Sequence, residues 1–273
     1  MGAFEAFDRE IDFSTQDFER IRKLIYAKAG IALSPAKQQM AYSRLARRVR
    51  ATGTGTFSAY LDRLESNGGD EWQEFVNALT TNLTSFFREQ HHFPILADFV
   101  REQAKGKPVK LWCAAASTGE EPYSIAMTLV DAGQSNAKIL ASDIDTKVLA
   151  TGQRGVYRDE SVKSIDQRYL QRFFLKGTGA NAGHVRVRAE LQRMIEFRQV
   201  NLLDEHWPIN DTFDVIFCRN VMIYFDKPTQ LRILGKFAQV LRPGGLLFAG
   251  HSENFTDARA DFKLRGKTVY ERL

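Results

Sequence analysis

The sequence predicts an α/β protein in which a small helical module precedes a mostly parallel sheet. From residue 14 to about residue 81, apolar residues recur at helical spacing. From residue 109 onward, short apolar runs alternate with helical stretches, which is typical of a parallel sheet with helices on both faces. Between residues 167 and 190, a glycine-rich turn and the alternating string VRVR interrupt this pattern. They predict a small inserted antiparallel β subdomain with a free strand edge along VRVR.

The N-terminal module carries recognisable helix start and stop residues. Ser14 or Thr15 can cap the first helix, and Gly30 ends it. Pro35 suits the first turn of a second helix. The strings TGTGT and NGG then break the chain before two further helices. We therefore predict an N-terminal helical domain over residues 1–80.

The remainder of the chain divides into a linker, residues 81–108, and an α/β domain, residues 109–273. The predicted strands carry the strings VKLWCA, KILASD, IEFRQVN, FDVIFCRN, GLLFAGH and TVYERL. The predicted helices between them run through SIAMTLV, KVLATG and QLRILGKFAQVL. Both sets are short enough to be single elements of a doubly covered sheet.

The composition is that of a soluble globular protein, with 44% hydrophobic and 26% charged residues over 273 positions. No stretch approaches the roughly 20 apolar residues that a helix needs to cross a bilayer. The N-terminal string MGAFEAFDREIDF has acids where a secretory signal has a basic and then an apolar region. We therefore expect a cytoplasmic protein that is not inserted in a membrane.

Cysteine and histidine usage argues against a metal site. Cys113 and Cys218 lie in strand-like apolar runs, where a free cysteine is usually a small buried hydrophobe. The five histidines show no ligand spacing with each other or with the cysteines. His91 and His92 are accordingly expected to have no chemical role.

A basic block lies near the N-terminus of this weakly basic chain, whose net charge is +5. No acid occurs between Glu19 and Asp62. On the helix around Met40, four arginines lie opposite the apolar face: Arg44, Arg47, Arg48 and Arg50. Such a surface attracts an anionic partner, either nucleic acid or an acidic protein, or it is simply a solvated face.

Ligands of an open parallel sheet bind outside the carboxyl ends of its strands, so the residues that follow each predicted strand deserve inspection. The first loop, AAASTGEEPYS, keeps a single glycine, Gly119. Asp143 ends the second strand, close to the ~20-residue spacing at which a carboxylate reaches ribose hydroxyls. The alternative is a helix cap, but Asp145 is better placed for that. Asn201 and Leu202 follow the third strand, where they can hold an adenine edge and face.

The fourth strand runs into the string CRNVMIYF, which puts Arg219, Asn220 and Tyr224 where catalytic groups usually lie. Together with TNLTSFFRE, AAASTGEEPYS, ASDID, VNLL, LRPGGLLFAGHSE and GKTVYE, this string resembles the CheR-type chemotaxis receptor methyltransferases, nearly end to end. The resemblance implies a class I (Rossmann-like) methyltransferase sheet. It also implies methyl transfer from S-adenosylmethionine to glutamate side chains of chemoreceptor helices, giving methyl esters and S-adenosylhomocysteine for chemotactic adaptation, without a metal.

The same resemblance implies the site residues. Residues 81–108 become a segment that contacts the cofactor, and Arg88 and Tyr224 correspond to the family residues nearest the reacting sulfonium. Arg88 can hold either the incoming carboxylate or the carboxylate of the cofactor, while Tyr224 can support the methyl group or bind a carboxylate oxygen. The implied cofactor pocket consists of Asn82, Thr84, Arg88, Glu121, Asp143, Asn201, Leu202, Arg219 and Asn220.

The implied partners are methyl-accepting receptors, to whose membrane arrays a monomeric enzyme would be recruited. Arg44, Arg47, Arg48 and Arg50 would steer an acidic receptor helix toward the active site. In some family members the inserted subdomain grips a C-terminal receptor pentapeptide, which here would meet Arg186 or Arg188 by strand addition. The alternative for this subdomain is a flap that covers the cofactor.

Two other functions compete with this one. An RNA methyltransferase would use the basic block, but the aromatic residues there have spacings that suit helix packing rather than base stacking. We therefore expect no nucleic-acid partner. A receptor-binding module without catalysis is disfavoured because Arg88, Asp143, Asn220 and Tyr224 are all present.

Overall fold

A computed structural model describes residues 11–103 and 107–273. The first ten residues of the acidic N-terminal string and residues 104–106 of the expected linker lie outside this part. The chain forms two compact units, the first ending at Thr80 and the second beginning at Thr81. No helix within the described ranges is long and apolar enough to cross a membrane.

The first unit is helical, as the sequence predicts. Ser14 caps the first helix in a capping box with Asp17, and Gly30 ends it in the left-handed conformation with φ +68°. The helices are α1 (Thr15–Ala29), α2 (Gln38–Thr52), α3 (Phe57–Asn67) and α4 (Glu71–Leu79). A short 3₁₀ turn with Pro35 as its first residue precedes α2. Local capping chemistry therefore determined where α1 begins and ends.

The second unit is an α/β sheet with an inserted small sheet. Its helices are α5 (His92–Gln103), α6 (Glu120–Asp131), α7 (Thr146–Arg154), α8 (Gln167–Phe173), α9 (Ala189–Gln192) and α10 (Lys227–Val240). Its strands are β1 (Lys110–Cys113), β2 (Lys138–Asp143), β3 (Val156–Arg158), β4 (Phe174–Lys176), β5 (His184–Val187), β6 (Ile195–Gln199), β7 (Phe213–Cys218), β8 (Leu241–Ala249), β9 (Phe262–Gly266) and β10 (Val269–Arg272).

The main sheet has the strand order β6-β2-β1-β7-β8-β10-β9. The first five strands in this order are parallel, β10 is antiparallel to β8, and β9 is antiparallel to β10. The chain leaves β1 toward β2 on one side and reaches β7 on the other, so the switch point lies beside β1. This confirms the predicted class I methyltransferase sheet, although β9 and α5 were not predicted. Pro94 lies in the first turn of α5, where a proline is tolerated.

The strands of the main sheet bury both faces. Along β1, Leu111 and Cys113 pack into one apolar cluster while Trp112 packs into the other. In β7, Phe217 and Cys218 divide between the two clusters in the same way. Cys113 and Cys218 are free and fully buried, which confirms the sequence-based expectation.

The inserted sheet corrects one prediction. Its strand order is β3-β5-β4, so the VRVR strand is its centre and both of its edges are paired. The expectation of a free edge along VRVR is therefore wrong. The reason is that β3, which lies before the predicted subdomain limits, folds back and pairs with β5. The free edges belong to β3 and β4.

Candidate active site

Residues 81–91 are fixed against the loops that follow β1 and β2. The side-chain amide of Asn82 donates to Asp145 Oδ2 at 2.8 Å, and the backbone carbonyl oxygen of Asn82 accepts from Ser117 Oγ at 3.3 Å. The Phe87 amide donates to Ser124 Oγ of α6 at 2.9 Å. This holds the half-buried Thr84 in a segment that borders the carboxyl ends of the central strands.

Asp143 ends β2 with its carboxylate turned toward the first loop. Its Oδ2 accepts from the Ser117 amide at 2.9 Å, and its Oδ1 accepts from the Asp145 amide at 3.0 Å. Burial raises the pKa of Asp143 to about 6. Asp145 caps α7, accepting from the Lys147 and Val148 amides, as expected. That Asp143 binds a ribose stays a prediction.

Asn201 and Leu202 follow β6 at the same edge of the sheet. Asn201 Oδ1 accepts from the Leu203 amide at 3.0 Å, which is an Asx turn. Leu202 is buried. The turn therefore fixes the chain at the position where an adenine is expected.

Arg219 forms the centre of a buried ion network. Its Nη1 donates to Glu121 Oε2 at 2.7 Å, and its Nη2 donates to the Arg88 carbonyl oxygen at 2.6 Å. Its Nη2 also lies 3.2 Å from Glu89 Oε2, and the Arg219 side chain is only 1% exposed. Burial raises the pKa of Glu121, while the Arg219 charge opposes that rise. Two predicted cofactor residues, Arg219 and Glu121, are thus each other's partners.

Gly119 has a packing role that the sequence did not reveal. Its φ is +98°, and a Cβ on it would lie 2.7 Å from Gly152 Cα and 2.8 Å from the Tyr157 hydroxyl oxygen. Only glycine fits this close approach between the first loop and α7.

The two candidate catalytic residues occupy different elements of the second unit. The guanidinium of Arg88 is half-buried and donates from Nη1 to the Leu83 carbonyl oxygen at 2.8 Å. Because Arg219 holds the Arg88 carbonyl, the backbone there is anchored while the guanidinium stays accessible. Tyr224 ends a short 3₁₀ turn, Met222–Tyr224, and is half-buried.

Two acidic residues at this edge, Glu89 and Glu253, were missed. Glu89 Oε1 accepts from Asn220 Nδ2 at 3.3 Å and from the His251 amide at 3.1 Å. Burial opposes ionisation of Glu89, but Arg219 and the donors together lower its pKa. Glu253 accepts backbone hydrogen bonds from the loop after β7. Both acids end strings that carry the family resemblance, TNLTSFFRE and LFAGHSE, which is the signal that could have found them.

The side chains of Glu89, His91 and His92 have the composition of a metal site, with ligand atoms within 4.8 Å of one another. However, the Arg219 guanidinium beside Glu89 already supplies a compensating positive charge there. His92 Nε2 contacts the Lys267 carbonyl oxygen at 2.9 Å, and burial lowers the pKa of His92 to about 4. We therefore assign this cluster to the ion network of Arg219.

The four arginines of α2 separate into two kinds. Arg44 donates to the Leu79 and Thr80 carbonyl oxygens, and Arg48 forms a two-point ion pair with Glu71. Arg47 and Arg50 are exposed. Docking of a partner on this helix stays a prediction, but two of its four arginines are used in packing the first unit.

In the inserted sheet, Arg186 lies on the central strand β5 and is exposed, while Arg188 follows that strand and is half-buried. Arg188 Nη2 lies 3.5 Å from the Gln171 carbonyl oxygen. Arg188 Nε is buried and has no hydrogen-bond partner among the described residues.

The polar groups at this edge fit the chemistry of S-adenosylmethionine. The Asp143 carboxylate has about four lone-pair directions, so it keeps acceptor capacity for a ribose hydroxyl beside its backbone donors. The Asn201 amide suits an adenine edge, and the accessible Arg88 guanidinium suits a carboxylate.

Comparison with known proteins covers nearly the whole chain. A family model described as "CheR methyltransferase, SAM binding domain" matches residues 82–271, and one described as "CheR methyltransferase, all-alpha domain" matches residues 16–80. The "Chemotaxis protein methyltransferase" of Klebsiella aerogenes is 54% identical over 266 residues, which cover 96% of this chain and 91% of that protein. That of Escherichia coli is 53% identical, covering 94% and 91%. "Chemotaxis protein methyltransferase 2" of Pseudomonas aeruginosa is 52% identical, covering 96% and 95%.

Proposed function

This chain belongs to the CheR methyltransferase family as an S-adenosylmethionine-dependent chemotaxis protein methyltransferase, and we propose that its substrates are glutamate side chains of chemoreceptor helices. The products would be glutamate methyl esters and S-adenosylhomocysteine, and the modification would serve chemotactic adaptation. The observation that carries the proposal is that Asp143, Asn201 and Asn220 end or follow parallel strands at one edge of the sheet. Hydrogen bonds hold the segment that contains Arg88 at the same edge.

The chemistry needs no general base. A glutamate carboxylate has a reference pKa of about 4.3 and is ionised near neutral pH, so one of its oxygens can attack directly. Bound S-adenosylmethionine supplies an electrophilic methyl group. The task of the protein is orientation, which can lower a barrier by about 7–11 kcal/mol. Arg88 would align a carboxylate through its guanidinium, and Tyr224 would bind or support the reacting groups from the loop after β7.

The test is methyl transfer from radiolabelled S-adenosylmethionine to receptor-containing membranes. Base-labile label in the receptor is expected, because esters hydrolyse in base. Receptors with their exposed glutamates changed to glutamine should take up no label. Base-stable label, or label in RNA, would contradict the proposal, and no transfer to any receptor would favour a module without catalysis.

The roles of Arg88 and Tyr224 have their own test. Arg88→Ala and Tyr224→Phe should lower kcat more than they lower cofactor affinity, because both are expected near the transferred methyl group. The exposed Arg193→Ala provides a matched control that should change neither quantity. Equal losses in kcat and affinity would make Arg88 and Tyr224 ordinary binding residues.

We further propose that the inserted sheet tethers the enzyme to receptor arrays. Its edge strands, β3 and β4, can accept an extended acidic peptide. Arg188 follows the strand between them, and its buried Nε has no hydrogen-bond partner in the part of the chain that the structure describes. Tethering would raise the effective concentration of the enzyme near the methylation helices. A receptor C-terminal pentapeptide with acidic and aromatic residues should bind at micromolar affinity. Arg188→Ala should abolish this binding, whereas Arg193→Ala should not. If no receptor C-terminal peptide binds, the tether is refuted, and the alternative role of this sheet, a flap that covers the cofactor, is favoured.

A further inference from the structure

One buried carboxylate holds the loop that follows β7. Glu253 is 5% exposed, and its two oxygens accept from four backbone amides. Oε1 accepts from Val221 at 3.0 Å and from Met222 at 2.8 Å. Oε2 accepts from Asn220 at 3.0 Å and from Gly250 at 2.6 Å. The carboxylate therefore joins the loop after β7 to the loop after β8.

The backbone that Glu253 holds is strained. Asn220 has a φ of +57°, a left-handed conformation that costs energy for a residue with a Cβ. Gly250 lies directly against it, because a Cβ on Gly250 would come within 2.4 Å of Asn220 Nδ2. Such a conformation persists only where surrounding groups enforce it, and the hydrogen bonds to Glu253 do so.

A second carboxylate fixes the side chain of the same asparagine. Glu89 Oε1 accepts from Asn220 Nδ2, and the ionised carboxylate can only accept, so the amide nitrogen must face it. The side-chain oxygen of Asn220 is therefore on the side of the amide group that does not face Glu89. Both the backbone and the amide of Asn220 are thus set by acids that lie outside the loop.

We propose that Glu253 is a positioning residue for methyl transfer, which rests on the proposed function. It does not touch the reacting atoms. Glu253 fixes the conformation of the loop after β7 and thereby the positions of Asn220 and Tyr224 at the carboxyl edge of the sheet.

Only a carboxylate can do this with the observed contacts. Each of its oxygens accepts two amides, and all four amides are donors. In a Glu253→Gln variant, one oxygen is replaced by an NH₂ group that points at two N–H donors. Two amides would lose their acceptor, and the strained loop would relax.

The variant Glu253→Gln should lower kcat at saturating S-adenosylmethionine and receptor by about 100-fold, the size of effect expected when reacting groups are misplaced by about 1 Å. Asp214→Asn is a matched control at the opposite end of the sheet. Asp214 is also a carboxylate that accepts a backbone amide, from Lys110 at 2.9 Å, and it pairs with Arg242. The Asp214→Asn variant should have a lower melting temperature but a kcat within about twofold of wild type, because the substitution moves no group at the carboxyl edge of the sheet.

Glu253→Asp keeps the charge but shortens the reach by one methylene, so it should fold more readily and still lose about tenfold in kcat. All assays are run at a temperature at which circular dichroism shows each variant folded. Unchanged kcat in Glu253→Asp or in folded Glu253→Gln would overturn the positioning role, as would a kcat loss in Asp214→Asn equal to that in Glu253→Gln. Absence of transfer by the wild-type enzyme would instead refute the proposed substrate.

Discussion

Replacing Arg219 with methionine should destabilise the second unit strongly. The change keeps most of the side-chain volume but leaves Glu121 and Glu89 without the guanidinium that lies 2.7 and 3.2 Å from them. Removing one partner of a buried ion pair costs about 3–5 kcal/mol. For a domain of this size, each kcal/mol lowers the melting temperature by about 2–4 °C, so a decrease of roughly 6–20 °C is expected.

The stability lost in Arg219→Met should depend on pH, and the burial of Glu121 determines whether the loss is larger at high or at low pH. Burial raises the pKa of Glu121, and without Arg219 it rises further. A carboxyl group whose folded pKa is raised stabilises the fold when protonated, and this contribution disappears as the pH rises through the folded pKa. The deficit of Arg219→Met relative to wild type should therefore be larger at about pH 8 than at about pH 5.

The assay is thermal and urea unfolding of both proteins at the two pH values, followed by near-ultraviolet circular dichroism. Combining Arg219→Met with Glu121→Gln should recover part of the lost stability, because the uncompensated charge is then gone. A melting temperature within about 2 °C of wild type would refute the reasoning, since it would mean that less than about 1 kcal/mol depends on the pair. Arg219 would then be free for the cofactor contact that the family resemblance implies.

Three further outcomes are expected. Asp143→Asn should weaken S-adenosylmethionine binding by about 10- to 150-fold, because losing one charged acceptor costs about 1.5–3 kcal/mol. Unchanged affinity in titration calorimetry would contradict the assignment of Asp143 to the ribose. In the wild type, the affinity for S-adenosylmethionine should fall as the pH drops through about 6, because hydroxyl donors bind the ionised form of Asp143. Burial and the nearby Asp145 raise the pKa of this carboxyl group to about 6. A flat affinity profile between about pH 5 and pH 8 would contradict this. Reversing Arg47 to glutamate should raise the receptor KM and flatten its salt dependence with cofactor affinity unchanged. A normal KM at low salt would mean that this face is only solvated surface.

The structure changes how the docking prediction must be tested. The sequence suggested that all four arginines of α2 face a partner. Arg48 instead pairs with Glu71 and Glu74 of α4, so reversing its charge would damage the first unit and confuse docking with unfolding. Arg47 is exposed, and its charge reversal makes the cleaner test.

The sequence by itself determined the elements and the edge of the sheet where the site lies. Ser14, Gly30 and Asp145 act through hydrogen bonds to their own neighbours, so their helix limits are readable from local pattern. The continuous apolar runs of β1 and β7 are also a local pattern, and they indicate strands that are buried on both faces of the sheet. In such a sheet the carboxyl ends of the parallel strands converge, and Asp143 and Asn220 could be assigned to one edge without coordinates.

Only the tertiary structure decided which polar groups are partners. Arg219 and Glu121 are 98 positions apart, and Glu253 binds amides more than 30 positions before it. VRVR became a central strand because β3 returned from outside the predicted subdomain. These pairings depend on strand order and on the close approach of loops, which place residues together irrespective of their spacing along the chain. Local periodicity carries no information about such distances, so a residue such as Arg219 could be recognised as important while its partner stayed unknown.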